Sequence, residues 1–190
     1  MRKIITGLLT LLFIAGLGAF AWRACATDEP PQQTEEKGPT GGGEVTGGGE
    51  CCKPDDTTPP LDLIKATPKG GLKNPYADKV TDAEFAEVGH KAYLSAGCNG
   101  CHGGGGGGGM CPPLTNDVWV YGPDDDTLFR LINLGSDGLQ KEGYKRIKQE
   151  VVVGPMPPFG GIFKTSDQLW KIITFIRSVN PGSVGKPPLQ

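Results

Sequence analysis

Cys98-Asn99-Gly100-Cys101-His102 decides how this 190-residue chain is read. C-x-x-C-H is the attachment pattern for a c-type haem. Two residues between the thiols let both sulfurs reach the vinyl-derived carbons on one edge of a porphyrin. The histidine that follows directly then points its imidazole at the iron, and the thioether bonds keep the group from dissociating. Other readings of two close cysteines fit less well. A zinc site needs two further ligands at suitable spacing, and Cys51, Cys52, His90 and Cys111 form no second C-x-x-C. A thioredoxin-like pair wants a βαβ context, and an iron–sulfur cluster wants four well-spaced thiolates. The pentapeptide predicts one covalent haem c, attached through Cys98 and Cys101, with His102 as an axial ligand.

The other axial position is sought among three methionines. Met1 belongs to the leader. Met110 follows His102 across seven consecutive glycines, 103–109, too near to cross to the opposite haem face. Met156 lies in Gly154-Pro155-Met156-Pro157-Pro158-Phe159-Gly160. Its flanking prolines hold the loop extended and stiff, which suits a thioether fixed against iron, and Met156 is the predicted ligand. Met/His ligation raises a haem's reduction potential. With both positions filled by the protein, no vacancy remains for oxygen or peroxide. That predicts an electron-transfer protein and not an enzyme; a haem enzyme or sensor with a displaceable Met156 is the alternative. His90, off the apolar stripe of its helix, is read as a surface residue.

Around these residues the periodicity predicts an all-α domain with long loops. One helix covers about 81–96, with Thr81 and Glu84 matching a capping box and Phe85, Val88, Ala92 and Tyr93 on one stripe. A second covers about 124–134, with Asp124, Asp125 and Asp126 at its positive end, Leu128, Leu131 and Ile132 on its apolar face, and Gly135 closing it. A third covers about 166–179, capped by Ser166, with Leu169, Trp170, Ile173 and Ile176 inward and Asn180-Pro181-Gly182 as its stop. Only 151–153 hints at a strand.

Towards the N-terminus, residues 1–26 read as a secretory signal: Arg2 and Lys3, an apolar run over 4–20, and a small-x-small site at Ala24-Cys25-Ala26. Uncleaved, the run over 4–22 is long enough to span a bilayer, so membrane attachment depends on that cut. Trp22 and Arg23 disfavour lipidation at Cys25. Either way the remainder leaves the cytoplasm, and a periplasmic location is expected. Residues 27–60, with GPTGGGEVTGGGE and an acidic excess, read as a low-complexity linker. The domain is placed at 61–190, with its core over about 81–179. A formal net charge of -2 excludes binding nucleic acid through bulk electrostatics. Apolar residues are only 37% of the chain, and 31 residues are glycine. So thin a core needs the porphyrin as its apolar centre.

These motifs give the stretch over about 81–179 a resemblance to the class I cytochromes c. Gly89 and Tyr93 resemble the small and aromatic positions where the family's N-terminal helix crosses its C-terminal one, and Trp170, Ile173, Phe175 and Ile176 resemble the answering face. Cys111-Pro112-Pro113-Leu114 resembles the family's Gly-Pro-x-Leu, with Cys111 in place of the glycine. The resemblance implies that the Pro112 carbonyl accepts the His102 Nδ1–H, which fixes the ring and enriches its electron density. A closer resemblance is to the cytochrome c-L type, on the run from His102 to Met110, Leu114-Thr115-Asn116-Asp117-Val118-Trp119-Val120-Tyr121-Gly122, Leu128-Phe129 and 154–160. It implies a pyrroloquinoline-quinone (PQQ) dependent methanol or alcohol dehydrogenase, especially the lanthanide type, as electron donor. It also implies another small cytochrome c as acceptor; a different dehydrogenase or an oxidase is the alternative partner.

The remaining features are left with two readings each. Trp119 and Tyr121 are candidates for holding the haem propionates through indole N–H and phenol O–H, or are ordinary core. The glycines of 103–109 bring the loop to the haem edge, or are a spacer. Lys141, Lys145, Arg146 and Lys148, set against Glu142 and Glu150, form a docking rim for an acidic partner, or a solvated loop. Cys111 pairs with Cys51 or Cys52, or those two pair with each other.

Overall fold

Asp82 accepts a hydrogen bond from the Phe85 N–H at 3.1 Å and so starts the helix that carries the attachment motif towards the core. In the computed structural model, which describes residues 51–150 and 152–187, the elements are α1 (Pro60–Ala66), α2 (Ala83–Ser95), α3 (Asn99–His102), α4 (Asp125–Lys141) and α5 (Ser166–Val179). Short 3₁₀ turns lie at Ala77–Lys79 and Pro181–Ser183. Among the described residues there is no strand, and the fold is all-α as expected. The signal over 1–26, the linker over 27–50 and Val151 of the strand hint lie outside the described residues. Among those described, no helix is long and apolar enough to cross a membrane.

α2 and α5 cross at Gly89. A Cβ there would sit 2.1 Å from the Lys171 carbonyl oxygen and 2.9 Å from the Phe175 Cβ, so only glycine lets the two backbones meet. Tyr93 on α2 and Trp170, Ile173, Phe175 and Ile176 on α5 are buried about this crossing. Val88 is not: it is 48% exposed. The crossing is centred on Gly89, and Phe85, Ala92, Tyr93 and Ala96 flank it on one face, which turns Val88 outward.

The caps fall one residue from their expected places. The cap of α2 is Asp82 and not Thr81. That of α5 is Thr165, whose Oγ1 accepts the Gln168 N–H at 3.3 Å. Ser166 instead faces backwards, and both its N–H and its Oγ–H donate to the Thr58 carbonyl at 2.8 Å. Asp124 caps α4 through the Thr127 N–H at 2.9 Å. Gly135 does not close α4 but breaks it, at φ 69° and ψ 176°, a conformation open essentially to glycine alone. The helix resumes and runs on to Lys141.

The domain also begins earlier than position 61. The Asp167 N–H donates to the Asp56 carbonyl at 3.1 Å, the Asp55 N–H to the Tyr76 hydroxyl at 3.0 Å, and Asp56 and Pro60 are buried. Residues 51–60 belong to packed structure. Their polar composition conceals this, because they are held largely through hydrogen bonds, with Cys52 and Pro60 as their apolar contacts. The strap continues through α1, whose Leu63 and Ile64 enter the core. Buried Arg130 of α4 donates to the Thr67 carbonyl at 2.7 Å and pairs with Asp126 at 2.9 Å. Asp126 also accepts from the Leu72 N–H and the Tyr144 hydroxyl.

Candidate functional site

His102 ends the single turn of α3, and the chain leaves it through Gly103 at φ 78°. The glycines of 103–109 are neither spacer nor slack. The Gly108 N–H donates to the His102 carbonyl at 2.8 Å, the Leu114 N–H to Gly106 at 2.7 Å, and the Cys111 N–H to Cys101 at 3.1 Å. A Cβ at Gly103 would lie 2.6 Å from the Gly108 oxygen, so the loop folds back on itself at glycine-only distances. Two side chains of α2 hold it. The Tyr93 hydroxyl donates to the Gly103 carbonyl, and His90 Nε2–H donates to that of Gly104, both at 2.7 Å. His90 is therefore not a free surface residue: its ring stacks on Phe175 at 4.6 Å between centroids. Phe175 and Gly104 lie on other elements, which the stripe of its own helix cannot reveal.

The folded loop delivers Pro112 to His102. His102 Nδ1 lies 2.8 Å from the Pro112 carbonyl. A carbonyl only accepts, so Nδ1 carries the proton and Nε2 keeps its lone pair free for a metal. Cys111 does not disturb this turn, because its φ is not positive and no glycine is required there. The Cys111 thiol instead lies against Cys101, and burial, followed by that hydrogen bond, raises it above its ordinary value. Cys51 and Cys52 sit together elsewhere, sulfur to sulfur at 2.7 Å, with Cys51 donating to the Gly71 carbonyl and Cys52 accepting from the Lys73 N–H. All are free thiols, and no bridge joins Cys111 to either. Burial pushes the Cys98 thiol up to about 11, so it stays protonated near neutrality.

His102 and Met156 line one cavity, together with Cys98, Pro112, Trp119 and Tyr121. Its remaining wall is largely apolar: Leu114, Leu128, Leu131, Ile132, Ile172 and Ile176 among others. Met110 is 59% exposed and His90 lies outside the lining. The break in α4 brings Met156 in. Ser136 N–H donates to the Met156 carbonyl at 2.9 Å, and the Ser136 Oγ accepts the Met156 N–H at 3.0 Å.

The residues fit a haem. Cys98 is at the cavity wall and Cys101 stands one residue before His102. Imidazole and thioether, the two side chains that bind haem iron in electron carriers, share the space. One further group asks for a partner. The Trp119 Nε1–H is buried and finds no acceptor among the described residues. Its indole is held by buried Arg177, 5.3 Å from the ring, which is in turn bound to Asp125 at 2.7 Å, Ser183 at 3.0 Å and the Pro123 carbonyl. The Tyr121 hydroxyl accepts from Gln140 Nε2 at 2.9 Å. Arg146, read above as part of a docking rim, lines the cavity and lies 6.0 Å from the Tyr121 ring. Sequence reasoning missed it as a site residue: it stays exposed while reaching the cavity edge, and an arginine in a loop of cations carries no signal of that.

The family model for cytochrome c matches residues 86–180, half of the chain, and covers most of α2 and all of α3, α4 and α5. No curated protein and no solved structure matches. Cys98 to His102 falls inside the matched region, and the chain belongs to the cytochrome c family, in which a covalently bound haem c serves as an electron carrier.

Proposed function

We propose that this protein is a periplasmic carrier of single electrons with His102 and Met156 as its axial ligands. On this reading it takes electrons from a PQQ-dependent methanol or alcohol dehydrogenase and passes them to another cytochrome c. The observation that carries the axial pair is the meeting of a free imidazole Nε2 and a thioether in one apolar cavity. Haem supplies a one-electron couple at such a site. The protein's own part is to fix the two ligands and exclude water. His102 is held by Pro112, and Met156 by the broken turn of α4. Trp119 Nε1 and Arg146 are the groups suited to hold a propionate: a buried donor without an acceptor and a cation at the cavity wall. Cytochrome c domains are typically exported, which supports the periplasmic reading.

The donor assignment is supported by the stretches that resemble the c-L type, because those stretches wall the cavity. Asn116, Val118, Trp119, Val120, Tyr121 and Gly122 come from one, and Gly154 and Met156 from the other. Exposed Lys141, Lys145 and Lys148 would steer an acidic partner towards this edge. Stopped-flow mixing of the oxidised protein with purified PQQ-dependent methanol dehydrogenase tests this. Reduction is expected within seconds, at a rate that falls as salt rises and is lower in Lys145→Glu. No reduction would discard the donor. A rate indifferent to salt in both proteins would discard the docking rim.

A further inference from the structure

We infer that Ser136 is a positioning residue for Met156, fixing the loop that presents the thioether to the cavity. The inference rests on Met156 being an axial ligand. Residues 155–160 contain three prolines, at 155, 157 and 158, which have no N–H to donate. The three amides left in that stretch all donate to α4. Met156 N–H goes to Ser136 Oγ at 3.0 Å, Phe159 N–H to the Ile132 carbonyl at 2.9 Å, and Gly160 N–H to the Asn133 carbonyl at 3.0 Å.

These acceptors exist because of Gly135. An unbroken helix would bond the Ile132 and Asn133 carbonyls to N–H groups four residues on, and Ser136 N–H to Ile132. The non-helical Gly135 releases them, and the freed Ser136 N–H returns a bond to the Met156 carbonyl at 2.9 Å. The loop lies so close that a Cβ on Gly135 would be 2.6 Å from the Met156 oxygen. Among the described residues, the Ser136 hydroxyl is the only side-chain group that hydrogen-bonds Met156, and it can be removed without touching the backbone. Ser136 is 8% exposed, so water does not readily replace it.

The test is displacement of the methionine by imidazole in the oxidised holoprotein, read from the visible spectrum. In Ser136→Ala the Met156 N–H has no acceptor, the loop detaches more readily, and imidazole is expected to bind about tenfold more tightly than in wild type. Hydrogen exchange gives a second readout. The Met156 amide should exchange about tenfold faster in Ser136→Ala while the Phe159 amide keeps its wild-type rate. Ser136→Thr, which retains the hydroxyl, should restore both. Unchanged imidazole affinity in Ser136→Ala overturns the inference. So does equal acceleration of all core amides, which would mean that Ser136 serves the fold and not the methionine. Met156→Ala separates this from the reading beneath it. If wild type lacks the weak red-end charge-transfer band of sulfur-to-iron ligation, or Met156→Ala binds imidazole no more tightly than wild type, the axial assignment itself is wrong.

Discussion

A buried indole N–H without an acceptor costs a fold about 1–3 kcal/mol unless something outside the chain meets it. Trp119 Nε1 is such a group, at the wall of the haem cavity. If it donates to a haem propionate, it stabilises the ionised form of that carboxylate and holds its pKa down. Trp119→Phe keeps an aromatic ring over Arg177 but removes the donor. The pH-dependent bend in reduction potential that reports propionate ionisation is then expected to move up by about one pH unit. An unmoved bend would return Trp119 to ordinary packing. At this scale the sequence is legible where chemistry is local. The His102–Pro112 bond follows from a short motif, and the structure has it at 2.8 Å. It is illegible where a partner comes from afar. His90 finds its stacking partner Phe175 on another helix, and Arg146 turns towards Tyr121. Neither pairing leaves a trace in the residues beside it.

Tyr93 belongs to α2, yet its hydroxyl donates to Gly103 and ties that helix to the haem-attachment loop. Burial pushes its phenol up to about 12, against about 10 for tyrosine in an unfolded chain. The unfolded chain therefore loses its phenol proton first as pH rises. The stability that Tyr93 contributes is fully present below about pH 10 and is lost as pH climbs from there through about 12. Tyr76 and Tyr144 are raised in the same direction by burial and by their bonds to Asp167 and Asp126. Melting temperatures between pH 10 and 12 should fall less steeply in Tyr93→Phe than in wild type. Equal slopes would show that this phenol bears none of the alkaline loss. The helices themselves were readable, because their apolar stripes and acidic first turns are strong signals. Their ends were less so. Thr81-Asp82 and Thr165-Ser166 each offer two adjacent capping side chains, and tertiary contacts choose between them. At 166 the choice is made by Thr58, whose carbonyl engages the serine. Gly135 reads as a stop, since nothing nearby shows that the loop around Met156 will occupy the gap and let the helix resume.

At the scale of the whole molecule one main apolar core has two parts with different roles. One is the strap over 51–76, which lies before the region matched to the family. It places Leu63, Ile64, Leu72 and Tyr76 in the main core and is clipped to α4 by Asp126 and Arg130. This contact is complete within the protein. The other is the wall of the cavity that His102 and Met156 share, formed largely by α4, α5 and the loops after α3. Apolar area removed from water is worth about 25 cal/mol per Å², and a chain with 37% apolar residues has little elsewhere to offset an exposed wall. Leu128, Ile132, Ile172 and Ile176 wall the cavity from within that same core, and without haem their cavity-facing atoms would lose apolar contact across it. The two sides of the cavity would then be held together chiefly by the α2–α5 crossing and the strap. A Cys98→Ala, Cys101→Ala double variant, unable to form the thioethers, is therefore expected to show reduced helicity by circular dichroism and a broad, weakly cooperative melt. Its residual order should be concentrated in the strap, α2 and α5, as slower hydrogen exchange there than in 103–122 and 152–160. Helicity and melting equal to those of the holoprotein would mean that the chain closes its own core, and that the haem is carried by the fold without being needed to make it.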